Sequence, residues 1–163
     1  MSSLIAFSAA ALLAATPYAP QRQAQIIPAV KQVSASDPET IVAALQKFGY
    51  NAVLETDVDG DPMVFSKAAG TIFSIRFYGC KQNSGCKDLQ FNSGYDLPDG
   101  VSVQRIEQWN STKLVGPALR DQDDDPFLKF FVSGVECMTI DSFERVVYRW
   151  EEAMKGFQEH IYK

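Results

Sequence analysis

The stretch Thr71–Asn92, TIFSIRFYGCKQNSGCKDLQFN, decides the architecture of this chain. Phe73, Ile75 and Phe77 alternate with Ser74, Arg76 and Tyr78, the two-residue period of a β-strand with one apolar and one mixed face. Leu89 and Phe91 alternate around Gln90 in the same way, after a short loop rich in Gly, Asn and Ser. Strands this close in sequence pair antiparallel, because a parallel partner needs a crossover of about a dozen residues or more. The segment therefore predicts a hairpin that carries Cys80 and Cys86 in its loop.

Upstream, Ala52–Thr56 and Met63–Ser66 flank the turn Asp57-Val58-Asp59-Gly60-Asp61, and Ala69-Gly70 leads into Thr71, which extends the hairpin into a meander. Downstream, Leu114–Arg120 and Phe127–Ser133 form a second hairpin around Asp121–Pro126. Three segments have helical period instead. Ser36-Asp37-Pro38-Glu39 offers a cap, Pro at the first helical position and an acid in the first turn, and Ile41, Ala44, Leu45 and Phe48 then share one face before Gly49. Ser102 precedes a stripe of Val103, Ile106 and Trp109 or Asn110. Phe143, Val146, Val147, Trp150, Met154, Phe157 and Ile161 recur at three- and four-residue steps, with Asp141 as the expected cap and Glu144 three positions on. The expected class is α+β: an antiparallel sheet of five to six strands with an N-terminal helix, a middle helix and a long C-terminal helix.

Composition narrows the function classes. The 163 residues are 46% apolar and 12% aromatic, enough to bury one core without metals or many disulfides. A formal net charge of -5 and the lack of any run of Lys and Arg argue against nucleic acid and against an anionic membrane surface as partners. Leu4–Ala15 is almost wholly apolar and breaks at Thr16-Pro17, a span of about a dozen residues, too short for a bilayer core of roughly 30 Å. Residues 1–20 read as a secretory signal peptide and 21–36 as a linker, so the chain is expected in the periplasm or secreted. A buried or unstructured amino-terminal helix is the alternative.

Export would place Cys80 and Cys86 in an oxidising compartment, where a structural disulfide persists. Metal ligation and reduced thiols are the other readings. Metal ligation needs further ligands, and only Cys137 and His160 are at hand, neither at ligand spacing. A redox pair would have two intervening residues next to a βαβ pattern, and five intervene here. Cys137, at the end of an apolar strand, is expected as a buried free thiol. The acidic turns look like calcium loops but lack the Gly and Glu that an EF-hand requires at its sixth and twelfth positions, so they read as solvated turns and no metal site or cofactor is expected. Nucleophilic catalysis needs a nucleophile with a base and an orienter, whereas this chain has one His, near its end, and no Ser motif.

The order of these elements resembles the YbjN family of bacterial sensory transduction regulators. The resemblance is carried by Leu45–Tyr50 with the strand and Asp-Gly turn that follow, Phe77-Tyr78-Gly79-Cys80 with Cys86, Gln90-Phe91, Trp109-Asn110, Asp123-Asp124-Asp125-Pro126 and Trp150. It covers about residues 38 to 160 and implies a fold similar to that of type III secretion chaperones, and hence a YbjN-like domain over 37–163. One departure is Gly116-Pro117-Ala118-Leu119, where Pro117 removes a ladder hydrogen bond and predicts an edge or bulged strand. The implied function is a non-enzymatic protein-binding or regulatory module, acting on a protein partner or on a second copy of itself as a homodimer. A structural envelope protein and a small thiol or hydrolytic enzyme are the rival readings. Phe127, Lys129 and Phe131 lie on the strand face opposite Leu128, Phe130 and Val132, and both faces are apolar. The long helix covers one of them, which leaves the Phe127 and Phe131 side for the first helix, a second copy or a client segment; Phe127, Lys129 and Phe131 are the expected partner surface.

Overall fold

The computed structural model describes residues 31–163. In chain order the elements are β1 (Gln32–Val33), α1 (Pro38–Lys47), β2 (Ala52–Thr56), β3 (Pro62–Ala68), β4 (Thr71–Tyr78), β5 (Asp88–Gly94), α2 (Val103–Thr112), β6 (Ala118–Arg120), β7 (Pro126–Val132), β8 (Met138–Thr139) and α3 (Ile140–Ile161). Six strands form one sheet in the order β2-β3-β4-β5-β7-β6, and every neighbouring pair is antiparallel. This is the expected α+β class. The hairpin of the decisive stretch holds its register, with Ile75 opposite Phe91 and Phe77 opposite Leu89.

Register sorts the side chains into two faces, because consecutive residues of a strand point to opposite sides. Val64, Phe73, Ile75, Phe77, Leu89, Phe91 and Leu128 lie on the inner face and are buried. Against them pack α1, through Ile41 and Leu45, and α3, through Phe143, Val147, Trp150, Met154, Phe157 and Ile161, in a single core. The Trp150 ring sits 6.2 Å from that of Phe73 and 5.7 Å from that of Phe91, and Phe48 at the end of α1 lies 6.3 Å from Phe143 of α3. Each fully buried aromatic of this kind contributes about 2–3 kcal/mol. α2 joins the same side, with Trp109 packed edge-on against Phe157 at 4.9 Å. All three helices therefore lie on one side of the sheet.

Several local expectations need correction. The linker read over 21–36 ends in structure: Gln32 and Val33 pair with Thr139 and Met138, and Val33 and Ala35 are buried. A two-residue strand leaves no alternation to read, so its partner decides it. The strand expected from Leu114 begins only at Ala118, because Trp109 and Asn110 take up the backbone of Gly116 and Ala118. As Pro117 predicted, β6 is a sheet edge. α3 is capped by Thr139, whose hydroxyl accepts from the Ser142 amide, and Asp141 lies inside the first turn. Cys137 is exposed, because the chain after β7 leaves the sheet at Gly134 before it reaches β8. The signal peptide expected at 1–20 lies outside the described residues.

Candidate functional site

The outer face of the sheet is the surface that the three helices leave uncovered among the described residues. Three rows of side chains cross it. Glu55, Met63, Arg76, Gln90 and Phe131 form one row, and Val53, Phe65, Ser74, Asn92 and Lys129 the next. Lys67 opposite Ile72, and Phe127 opposite Leu119, extend the third. Strands with one face on a core normally show polar residues on the other, yet here Ile72 is 64% exposed, Val53 56% and Phe131 51%. Tyr78 and Phe131 meet edge to face at 6.2 Å, and the Lys129 ammonium stands 5.1 Å over the Phe127 ring. Lys67, Arg76 and Lys129 share the face with Glu55 and Asp88, and the Asp88 carboxylate accepts from the Ser133 hydroxyl and the Gly134 amide. Asp57 and Asp59 of the first acidic turn border Arg76 and Met63, so acidic and basic groups are mixed on this face.

Phe127, Lys129 and Phe131 thus share one face, as their spacing required. Sequence reading missed the rest of it: Val53, Phe65, Ile72 and Tyr78 alternate with core residues just as clearly, but their exposure depends on where the helices pack.

The residues that carry the family resemblance do structural work elsewhere. The Trp109 indole N–H donates to the Gly116 carbonyl at 2.7 Å. Asn110 acts as a substitute strand for β6: its Nδ2 donates to the Ala118 carbonyl at 3.0 Å and its Oδ1 accepts from the Ala118 amide at 2.8 Å. Asp121 Oδ1 accepts from the Asp123 and Asp125 amides, both at 2.9 Å, and Asp125 Oδ1 accepts from the Leu97 amide at 2.9 Å. Pro126 is buried and its carbonyl accepts from Tyr95. Trp150 is core. In the other acidic turn, Asp57 Oδ1 accepts from the Asp59 and Asp61 amides at 3.0 and 2.9 Å. These carboxylates close their own turns. Among the described residues, no three His, Cys, Asp or Glu side chains converge as a metal site would require.

Cys80 and Cys86 are joined in a disulfide. Its loop is docked onto the first acidic turn, where Asn83 Nδ2 donates to the Asp59 carbonyl at 2.9 Å and to Asp61 Oδ1 at 3.0 Å. The bridge closes the tip of the β4–β5 hairpin, and Asn83 within that loop ties it to the β2–β3 turn. Near the other end of the core the Tyr50 hydroxyl donates to Glu151 Oε2 at 2.5 Å, and Lys155 pairs with Glu151 at 3.0 Å. Burial, then the bond to Glu151, raises the Tyr50 pKa; the bond from Tyr50 holds the Glu151 carboxyl below its ordinary range. His160 is engaged with backbone, its Nε2 donating to the Arg105 carbonyl at 2.7 Å.

A family model described as "YbjN: Putative bacterial sensory transduction regulator" matches residues 37–163. The chain belongs to the YbjN family. The match spans every element from α1 onward, including both acidic turns, the disulfide loop and the Trp109-Asn110 latch of this YbjN chain. Searches of curated proteins and of solved structures returned no significant match. A regulator that works by interaction is the description this YbjN membership supports. No helix among the described residues is long and apolar enough to cross a membrane.

Proposed function

We propose that this YbjN protein is an exported, non-enzymatic regulatory module that binds an apolar surface of another protein through the outer face of its sheet. The observation that carries the reading is the placement of all helices on one side, which leaves Val53, Ile72 and Phe131 in water on the other. Large apolar side chains exposed on a strand face that no helix covers among the described residues mark a candidate interaction surface. Six strands about 4.8 Å apart and roughly 20 Å long give a face on the order of 600 Å². That is below the roughly 800 Å² per partner of a standard interface, the size of a transient regulatory complex. Export is supported by the apolar segment Leu4–Ala15 and by a disulfide that a reducing cytosol would not keep.

Photocrosslinking tests the reading. With benzoylphenylalanine at position 131, the producing cells should yield one discrete heterocomplex from the envelope or medium fraction. The same probe at Val58, in the exposed β2–β3 turn, should yield none. In that fraction the chain should lack roughly its first twenty residues. Phe127→Ser with Phe131→Ser should abolish partner capture, since aromatic anchors often cost about 2 kcal/mol or more each, and leave thermal stability nearly unchanged. A crosslinked species of twice the chain's mass would make a second copy the occupant. A large fall in melting temperature with unchanged association would make Phe127 and Phe131 core residues, and either result overturns the proposal.

A further inference from the structure

A groove runs between α2 and α3, on the opposite side of the molecule's sheet from the proposed partner face. One part is a cavity of about 290 Å³ lined by Arg105, Trp109, Lys113, Gly156, His160 and Lys163. It continues into a second cavity of about 410 Å³ that shares Trp109, Lys113 and Gly156 and adds Arg149 at its far end. Volumes near 300 Å³ suit a small molecule.

The side-chain charge of the first cavity is the reverse of the protein's. Arg105, Lys113 and Lys163 line it against one carboxylate, Glu159, on a chain of net charge -5. None of the three cations forms an ion pair among the described residues, whereas Arg120 and Lys155 do. Glu152, in the second cavity, is already paired with Lys155.

Arg105, Lys113 and Trp109 are also held in place. Arg105 Nη1 donates to the His160 carbonyl at 2.5 Å, while His160 Nε2 donates to the Arg105 carbonyl at 2.7 Å. This reciprocal pair fixes both side chains and leaves the other guanidinium N–H groups and His160 Nδ1 outside it. The Trp109 ring forms the floor, tied down by the Gly116 carbonyl, and the Lys113 ammonium lies 5.2 Å above it. Cationic donors fixed before binding lose little freedom when an anion arrives.

Gly156 keeps the space open. A glycine inside a helix costs stability relative to alanine, and α3 carries this one well inside its length. A Cβ there would meet only the Trp109 ring, at 3.5 Å, an ordinary contact, so packing against Trp109 does not demand glycine. Any larger side chain would extend into the groove that Gly156 borders on both sides.

We propose that the groove between α2 and α3 binds a small soluble molecule bearing a phosphate or carboxylate group, with Arg105, Lys113 and Lys163 as its cationic donors and Trp109 as its floor. The site is separate from the partner face and stands whether or not that face is correct. Titration of the full protein with inorganic phosphate, glycerol 3-phosphate and citrate, at constant ionic strength and followed by ¹H–¹⁵N NMR, should move the Trp109 indole and Gly156 amide signals saturably for at least one probe. Lys113→Glu should weaken that binding at least tenfold. Gly156→Leu should abolish it with the rest of the spectrum intact and the melting temperature unchanged or higher, which separates occlusion from unfolding. Lack of saturable shifts with all three probes, or shifts that survive both substitutions, would overturn the proposal. So would co-sedimentation with phosphatidylglycerol vesicles without response to the soluble probes, which would move the anion to a lipid headgroup.

Discussion

Replacing Asn110 with alanine removes both hydrogen bonds that stand in for a strand beside β6. Ala118 is only 3% exposed, so its amide and carbonyl lose their Asn110 partners in a place where water enters poorly. A backbone hydrogen bond contributes about 0.5–1.5 kcal/mol net, and a buried group left without a partner costs about 1–3 kcal/mol. Partial entry of water at a sheet edge puts the loss from the pair at about 2 kcal/mol. For a domain of this size each kcal/mol lowers the melting temperature by roughly 3–5 °C, so a fall of about 6–10 °C is expected in thermal and urea unfolding. Amide exchange localises the effect, because the Ala118 N–H should exchange faster in Asn110→Ala. Asn110→Asp keeps the acceptor for that N–H and loses the donor to the carbonyl, so it should retain the protection and give an intermediate melting temperature. Stability within about 0.5 kcal/mol of wild type, with the Ala118 amide as slow as before, would refute the edge-latch reasoning.

Intact-mass analysis of the oxidised protein should show one Cys80–Cys86 bridge. Replacing both with Ser should cost about 2 kcal/mol, the chain-entropy value for so short a loop, with the fold retained. Cys137, being exposed, should alkylate in the folded protein at the rate of a free thiol without denaturant. Tyr50→Phe should return the Glu151 pKa toward its ordinary value of 4.5, measured by carboxyl ¹³C titration, since the Tyr50 bond is the chief cause of its lowering. A carboxyl whose pKa is lower folded than unfolded adds stability above about pH 4.5 and loses it as pH falls through the folded value. The acid limb of the wild-type stability profile should therefore be steeper below pH 4.5 than that of Tyr50→Phe, and identical limbs would contradict the assignment.

The elements that repeat a period were legible. Phe73-Ile75-Phe77 and Leu89-Phe91 named their own strands, and the seven-residue stripe of α3 named both a helix and its buried face. Part of the single-residue punctuation also read correctly: Gly49 takes the left-handed conformation after α1 and Ser102 caps α2, whereas Asp37 stands at the start of α1 without a side-chain capping bond. The readings that failed depended on a partner distant in sequence. β1 exists through β8, more than a hundred residues away, and the Leu114–Pro117 segment was removed from its strand by Trp109 and Asn110. The cap of α3 moved from Asp141 to Thr139 because both residue types suit the position and the approach from β8 chose between them.

The same division holds for function. Alternation alone placed Phe127, Lys129 and Phe131 on one face, because the backbone geometry of a strand fixes which side chains share a side. Whether that face met water was a matter of where α1 packs, and hydrophobic burial is non-directional, so local sequence does not specify it. α1 joined α3 on the inner side, and the outer face stayed open. The α2–α3 groove was less legible still: Arg105 and Lys113 stand about fifty residues before His160 and Lys163, in a chain whose composition is acidic. Composition reports the sum of the charges, and only the antiparallel packing of two helices brings those cations to one place, because Coulomb interaction depends on distance in space and the sequence records distance along the chain.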